Sequence, residues 1–256
     1  MIYELLFSAT GRTKNMLDIF SAQWTEEKVR IDLSDLNFDR TKYNFTADDM
    51  VILATSVFEG RIPEPAVHKL KKLRGNGAKA VLLAVFGNRA VDDALLEMRD
   101  VMAQAGFVPV AAVEASMQHS IVSQVEAHRP DADDKKEIAE FAEKIKAVLD
   151  ERKVFGQLNV PGNFPYVEMG GVKFKPAADS EKCIDCGLCA RKCPVNAIPK
   201  ENPKITCNEK CITCMRCVAI CPVDARALPE EIVLRAYTFM KPKFDGRKPN
   251  KLYIAE

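Results

Sequence analysis

The chain has 256 residues, and its 37 Lys and Arg side chains nearly balance its 36 Asp and Glu, giving a formal net charge of +1. This length fits one large domain or two smaller ones. Hydrophobic residues make up 47% of the chain and charged residues 29%, which excludes an intrinsically disordered or collagen-like protein. No apolar run approaches the ~18 residues of a membrane span, so no such span is expected.

Apolar runs alternate with amphipathic segments through the first 150 residues. Short apolar runs rich in β-branched residues are typical of buried parallel strands. They are predicted over 2–7, 29–33, 51–56, 80–86 and 107–113. Helical spacing of apolar residues predicts helices over 13–22, 65–73, 92–105 and 134–149. This alternation predicts a doubly wound α/β sheet of five parallel strands.

The composition changes after residue 152. Residues 153–176 contain three prolines and four glycines without a clear period, which predicts a linker. Every cysteine lies in the module that follows, over 177–230, and residues 231–256 begin with a helical pattern and end in a basic tail. The sequence therefore predicts a first domain over 1–152, a linker, a cysteine module and a C-terminal extension.

The near-zero net charge conceals an asymmetry between the two halves. Residues 1–150 carry 19 basic and 24 acidic side chains, a net of −5, whereas residues 151–256 carry 18 and 12, a net of +6. Such asymmetry is compatible with a nucleic-acid partner, with two modules that attract each other, or with a basic docking face. Few aromatic residues lie among the lysines of the tail, which disfavours nucleic acid and favours an acidic redox partner.

The nine cysteines form the strongest pattern in the chain. Four of them have the spacing CxxCxxCxxxCP, and four more repeat it at an offset of 28 residues. A cytosolic chain does not normally hold disulfides, so such a cluster predicts metal binding. Structural zinc would use paired CxxC motifs and leave the third cysteine and the Cys-Pro unexplained. The repeated cysteines are Cys183, Cys186, Cys189 and Cys193, then Cys211, Cys214, Cys217 and Cys221.

This repeat resembles that of bacterial ferredoxins with two [4Fe–4S] clusters. In such proteins the fourth cysteine of each run ligates the other cluster. The resemblance implies one cluster held by the first three cysteines together with Cys221, and a second held by Cys211, Cys214, Cys217 and Cys193. The ninth cysteine, Cys207, has no counterpart in the first repeat and is either a free thiol or an alternative ligand.

A polar loop follows the first predicted strand and opens the first helix. Its sequence is Ser8-Ala9-Thr10-Gly11-Arg12-Thr13. Hydroxyl groups and backbone N–H groups at a helix N-terminus hold phosphate, although an ordinary helix cap uses the same residue types. The chain has neither a P-loop lysine motif nor GxGxxG, which disfavours ATP and dinucleotides.

The loop resembles the one with which flavodoxins hold the phosphate of FMN. That resemblance implies that the loops after the third and fourth strands face the flavin ring, and it implies no catalytic residue. His119 and Ser120, after the fifth strand, are expected to border the site. The residues expected to bind FMN are Ser8, Thr10, Gly11, Arg12, Thr13, Asn15, Thr55, Ser56, Val57, Phe58, Glu59, Gly60, Phe86, Gly87, Asn88 and Arg89.

The whole chain resembles the flavodoxin–ferredoxin fusion proteins of anaerobes, to which the segments FEGRIPEP and FGNRAVDDAL are also similar. The resemblance implies electron transfer between two [4Fe–4S] clusters, FMN and a redox partner protein. The alternative is an FMN-dependent reductase of a quinone, a nitro compound or a disulfide, fed by the clusters. A cytoplasmic location is expected. A homodimer is also considered, with the cluster module of one chain over the flavin of the other.

Overall fold

The computed structural model describes residues 1–256 and contains a six-stranded sheet and a two-stranded hairpin. Five strands of the large sheet run parallel in the order 2-1-3-4-5, and a sixth pairs antiparallel with the fifth. The large sheet is formed by β1 (Ile2–Phe7), β2 (Lys28–Asp32), β3 (Met50–Ser56), β4 (Lys79–Phe86), β5 (Val108–Ser116) and β8 (Lys251–Ile254). The hairpin is formed by β6 (Ala177–Ala178) and β7 (Arg226–Ala227).

Helices cover both faces of the large sheet. Side chains of α1 and α4 join one buried cluster, and those of α2 and α3 join the other. None of the helices has the length and apolar character that a membrane crossing needs. The helices are α1 (Arg12–Ser21), α2 (Glu64–Leu70), α3 (Ala94–Gln104), α4 (Ala132–Glu151), α5 (Leu188–Arg191), α6 (Arg216–Ala219) and α7 (Glu230–Met240), with short 3-10 turns at Arg40–Lys42 and Lys241–Phe244.

The central strands are apolar on both faces because both faces are covered. In β3, Val51 and Leu53 point into the cluster beneath α2 and α3, whereas Ile52 points into the cluster beneath α1 and α4. Each of these side chains is fully buried. Burial of one such side chain contributes about 1.5–3 kcal/mol, so the two clusters hold the layers together.

The structure confirms the doubly wound sheet, its five parallel strands and its four helices, and it adds one strand. Residues 251–254 were predicted to lie in a basic tail but form β8 at the edge of the sheet. Tyr253 donates a hydrogen bond from its hydroxyl to Glu114 of β5 at 2.7 Å. A four-residue strand has too short a pattern to be recognised without its partner, so the sequence predicted only a tail here.

The strand order places a crevice at the carboxyl edge of the sheet. The chain leaves β1 in one direction to reach β2 and later returns to the other side of β1 to form β3. In open α/β sheets, ligands bind outside the carboxyl ends of the strands at this switch point. The loops that follow β1, β3, β4 and β5 therefore surround the position where a ligand is expected.

Candidate functional site

A cavity of about 610 Å³ opens at the carboxyl edge of the sheet. The loops after β3, β4 and β5 supply one side of its wall through residues 57–60, 86–87, 89–90 and 119–122. The linker, the cysteine module and α7 supply the rest. Phe58 and Phe86, the two aromatic candidates for contact with a flavin ring, both line this cavity.

A smaller pocket adjoins this cavity on the side of α1. It is lined by Thr10, Arg12 and Thr13 of the polar loop and by Ser56 at the end of β3. Phe58, Phe86, Gly87 and His119 line both spaces, so the pocket and the cavity are continuous. The arrangement suits a ligand with a polar end near α1 and an aromatic ring between the loops.

The conformation of the polar loop exposes hydrogen-bond donors. Gly11 precedes α1 with φ of +87°, a left-handed conformation that glycine adopts without strain. Ser8 Oγ accepts a hydrogen bond from the N–H of Lys14 at 3.1 Å, and the hydroxyls of Thr13 and Ser56 lie 2.8 Å apart. The first N–H groups of any α-helix have no intrahelical acceptor, so those of Arg12 and Thr13 are available to a phosphate.

Two arginines border the site, each already oriented by a neighbour. Arg12 Nε donates to Gln118 Oε1 at 3.0 Å, and burial lowers the pKa of its guanidinium. Arg89 forms an ion pair with Asp92. The two guanidinium groups bring positive charge to the site, which favours an anionic ligand.

His119 is held as a neutral donor beside both spaces. Its Nδ1 accepts hydrogen bonds from the N–H groups of Ile121 and Val122 at 3.2 and 3.0 Å, so its proton lies on Nε2. Burial, assisted by the charges of Arg12 and Arg89, lowers its pKa to about 4. The ring also packs edge-on against Phe244 at a centroid distance of 5.2 Å. His119 therefore presents one N–H group without carrying a charge.

Five residues expected to bind FMN line neither the pocket nor the cavity: Ser8 and Gly11 of the polar loop, and Asn15, Thr55 and Asn88. Asn15 is exposed on α1 and lines neither space. The Thr55 hydroxyl is fully buried against Met98 Sδ at 3.7 Å. Asn88 turns away because its amide donates to the carbonyls of Phe244 and Gly246. The Thr55 side chain serves packing, and that of Asn88 docks the C-terminal segment.

The two cysteine loops share one backbone conformation. Residues at matching positions of the two repeats adopt the left-handed backbone conformation, so the two cysteine loops curve in the same way. The N–H of Ala197 donates to Cys193 Sγ, and that of Ala225 donates to Cys221 Sγ, each at 3.2 Å. The matching left-handed pairs are Asp185 and Thr213, Gly187 and Met215, and Asn196 and Asp224.

Four cysteines from both repeats line a common small cavity. They are Cys193 of the first repeat and Cys211, Cys214 and Cys217 of the second. Burial raises the pKa of Cys214 to about 11 and that of Cys217 to about 12. Buried thiols of this kind ionise when metal supplies positive charge, so this donor set fits an iron–sulfur cluster.

None of the remaining cysteines is buried. Cys186 is exposed, and Cys183, Cys189 and Cys221 are half-buried. Cys207 lies apart from the repeat and contacts Glu209 Oε2 at 3.2 Å. No three His, Cys, Asp or Glu side chains are grouped as ligands of a single metal ion.

The cysteine module docks directly on the polar loop of the same chain. Cys214 lines the pocket formed by Thr10, Arg12 and Thr13 as well as the four-cysteine cavity. The Arg216 guanidinium donates to the Ser8 carbonyl and to Ser34 Oγ, both at 2.6 Å. The second cysteine loop is therefore fastened to the sheet domain next to the site.

Comparison with known families identifies the cysteine module. Residues 176–198 and 208–227 match the model of the 4Fe-4S binding domain. The parallel strand order 2-1-3-4-5 is that of the flavodoxin-like fold. The chain is a fusion of a domain of flavodoxin-like fold and a 4Fe-4S binding domain. No curated protein matches the chain.

Solved flavodoxins align with the first domain of the fusion at low identity. A flavodoxin from Streptococcus pneumoniae TIGR4 is 16% identical, with a TM-score of 0.43, over 57% of this chain and 99% of that one. Flavodoxin 2 from Bacillus cereus is 13% identical, with a TM-score of 0.44, over 57% and 97%. Rubredoxin oxygen:oxidoreductase from Desulfovibrio gigas is 13% identical, with a TM-score of 0.42, over 59% and 36%.

The linker of the fusion is fastened to the sheet domain. Asp93 accepts hydrogen bonds from the N–H groups of Asn163 and Val167 at 2.7 and 2.6 Å. The Tyr166 hydroxyl donates to Asp100 at 2.7 Å, and Arg61 lies over the Tyr166 ring at 4.6 Å. The segment FEGRIPEP thus anchors the linker through Arg61 in addition to supplying Phe58 to the cavity.

Sequence reasoning missed the wall that α7 contributes to the cavity. Apolar residues recur along this helix at helical spacing, which is a signal for one buried face. That face points into the cavity. Its residues are Ile232, Val233, Ala236, Phe239 and Met240.

Replacement of Gly87 with alanine is expected to weaken FMN binding by the fusion. A Cβ atom at Gly87 would lie 2.6 Å from His119 Cδ2 and 2.9 Å from His119 Cα, so the segment that carries His119 must move. We expect the Kd for FMN, measured by flavin fluorescence quenching, to rise by about tenfold or more. Gly170→Ala is the control, because its Cβ would lie 3.9 Å from Glu59 Oε2. Equal Kd values in the two variants would contradict this role of Gly87.

Proposed function

We propose that the fusion is an electron-transfer protein in which electrons pass between a surface [4Fe–4S] cluster, an inner [4Fe–4S] cluster and FMN. One observation carries the proposal. Cys214 lines both the four-cysteine cavity and the pocket beside the polar loop. A cluster held by Cys214 would therefore adjoin the flavin site directly. No other part of the protein would need to move for an electron to pass between them.

The two clusters differ in exposure, which suggests an order of transfer. Cys214 and Cys193 are each 8% exposed, whereas Cys186 is exposed. The outer cluster would meet a redox partner, and the inner cluster would exchange electrons with the flavin. Ile184 and Ile205 are also exposed in this module, where they offer apolar contact area to a partner.

The charge of the C-terminal half favours an acidic partner. Residues 151–256 carry a net charge of +6. Complementary charge accelerates the encounter of two proteins, and salt screens that attraction. The proposed partner is therefore a redox protein with an acidic face.

The residues of the site fit FMN. When bound, FMN supplies two-electron chemistry that it can exchange in single electrons. Thr10, Thr13 and the N-terminus of α1 would hold its phosphate, and Phe58 and Phe86 would contact its ring. The positive charges of Arg12 and Arg89 and the N–H of His119 would offset negative charge on the ring. Arg216 would hold the inner cluster next to it.

The test follows electrons through the clusters to the flavin. Protein purified without oxygen is reconstituted with FMN and reduced by a laser flash, and absorbance near ~450 nm reports the flavin. Arg216→Gln removes charge-assisted hydrogen bonds of about 1.5–3 kcal/mol each, so docking weakens. We expect flavin reduction through the clusters to slow by about tenfold or more, with the iron content unchanged.

Arg191→Gln provides the matched control. Arg191 donates to the Cys186 carbonyl within the first cysteine loop at 3.0 Å. This variant should reduce its flavin as fast as the wild type. Protein that holds both clusters but fails to bind FMN would refute the proposal, and so would an equal rate in the two arginine variants.

A further inference from the structure

Helix α7 borders the large cavity, and binding of a flavin alone does not account for that part of the cavity. None of its residues is buried, although five apolar side chains of the helix line the 610 Å³ cavity. Phe239 is 78% exposed. An amphipathic helix normally packs its apolar face against a core, whereas here that face borders open volume.

The cavity has two walls of different origin. The loops after β3, β4 and β5 form the wall against which the flavin ring is proposed to lie. Linker residues 171–174, the cysteine module and α7 form the other wall, and they belong to none of those loops. The proposed phosphate position lies in the adjoining pocket, so only the ring would enter the large cavity. The cavity is well within the range of about 300–1,000 Å³ typical of small-molecule sites.

The lining has a distinct chemistry. Five phenylalanine side chains give it flat apolar surfaces, which suit a planar ligand. Arg89, Lys173 and Arg235 supply positive charge, and His119 supplies the fixed N–H group described above. Glu59, the one acidic side chain of the lining, accepts a hydrogen bond from the N–H of Gly171 at 3.0 Å. The phenylalanines are Phe58, Phe86, Phe174, Phe239 and Phe244.

From this lining we infer that the space between the flavin position and α7 is a binding site for a quinone, which the protein reduces. The inference rests on the proposed function. A quinone is planar and apolar, and its two carbonyl oxygens accept hydrogen bonds. Its reduced form gains negative charge before it is fully protonated, which suits the three cationic side chains. No cysteine lines the large cavity, so a disulfide substrate would find no thiol there.

The proposed reduction of the quinone needs one external reductant. The quinone would take up two electrons and two protons from the fully reduced flavin and would leave as the hydroquinone, and the oxidised flavin would take up two protons from water when it is reduced again. Both carbonyl groups become hydroxyl groups. A low-potential one-electron donor, such as dithionite in the assay, restores the two electrons one at a time through the clusters.

The test measures binding without turnover. Oxidised protein loaded with FMN and both clusters is titrated with 2-methyl-1,4-naphthoquinone by calorimetry under argon. Ala236→Trp places a large side chain in the space from the α7 wall, and we expect it to raise the Kd for the quinone by about tenfold or more. Leu234→Trp is the matched control because Leu234 lies on the same helix, is 60% exposed and does not line the cavity.

The outcomes separate this inference from the proposed function. In Ala236→Trp, cluster-to-flavin reduction should proceed as in the wild type, while reoxidation of the flavin by the quinone slows. Equal quinone affinity in the two tryptophan variants would overturn the inference, as would a wild type that binds 4-nitrobenzoate but no quinone. A flavin that takes no electrons from the clusters in a protein that still binds the quinone would refute the proposed function alone.

Discussion

Replacement of Cys193 with alanine is expected to remove the cluster beside the flavin, although Cys193 belongs to the first cysteine repeat. Cys193 lines the inner cavity together with Cys211, Cys214 and Cys217 of the second repeat. Loss of one ligand from a cluster of four leaves an iron site open, and the cluster is lost. We expect the purified variant to hold about half the iron of the wild type. Its remaining cluster should transfer electrons to the flavin poorly.

Cys221→Ala should give the complementary result. In the proposed arrangement it removes a ligand of the outer cluster, so half the iron should again be lost while rapid electron exchange between the inner cluster and the proposed flavin site remains. Laser-flash reduction, with absorbance of the flavin as the readout, distinguishes the two variants. Cys207→Ala is the control and should keep all the iron, because Cys207 lies outside the repeat. If each repeat held its own cluster, Cys193→Ala would spare the transfer to the flavin and Cys221→Ala would abolish it.

Replacement of Arg129 with methionine is expected to destabilise the sheet domain strongly. Arg129 Nε donates to Asp134 Oδ2 at 2.9 Å, and both side chains are almost completely buried. Arg129 also donates to the carbonyl of Lys248 at 2.7 Å. Asp134 accepts a further hydrogen bond from Asn250, which itself accepts the N–H of Ser116. This network joins the start of α4 to the segment that leads into β8.

The effect arises from the charge that the substitution leaves behind. Removal of one partner of a buried ion pair typically lowers the free energy of unfolding by about 3–5 kcal/mol. For a chain of this size, that loss corresponds to a fall in Tm of roughly 6–20 °C. Urea denaturation and a thermal scan, both followed by circular dichroism, measure it.

A second arginine on the same carboxylate provides the control. Arg247 lies 3.0 Å from Asp134 Oδ1, but its side chain is 47% exposed. Exposed ion pairs contribute about 0–1 kcal/mol, so Arg247→Met should change the free energy of unfolding little. Asp134→Asn added to Arg129→Met should recover part of the loss, because it removes the carboxylate charge that has lost its buried partner and keeps the amide oxygen as an acceptor. Equal effects of the two single arginine substitutions would contradict the argument.

Local patterns were sufficient to predict the domain types. Neighbouring cysteines of each iron–sulfur motif are separated in the sequence by two or three other residues. The spacing that begins at Cys183 and at Cys211 therefore identifies the type of metal site without knowledge of the fold. The strands and helices of the first domain could be predicted because each buries a face over several residues. The polar loop at Ser8–Thr13 could be predicted as a phosphate site because a helix N-terminus and the polar groups before it are adjacent in sequence.

Contacts between residues far apart in the sequence determined the remaining features of the fold and of the site, and the amino-acid composition does not indicate such contacts. Asn88 resembles a loop residue that binds a ligand, yet its amide bonds to the carbonyls of Phe244 and Gly246, more than 150 residues away. The segment at 251–254 became a strand because β5 offered an unpaired edge. The sequence by itself determined the metal-cluster character of the cysteine module and the fold class of the first domain. Only the tertiary structure placed Cys214 and Arg216 against the polar loop and turned α7 toward the cavity, because those positions depend on how separately predictable elements pack together.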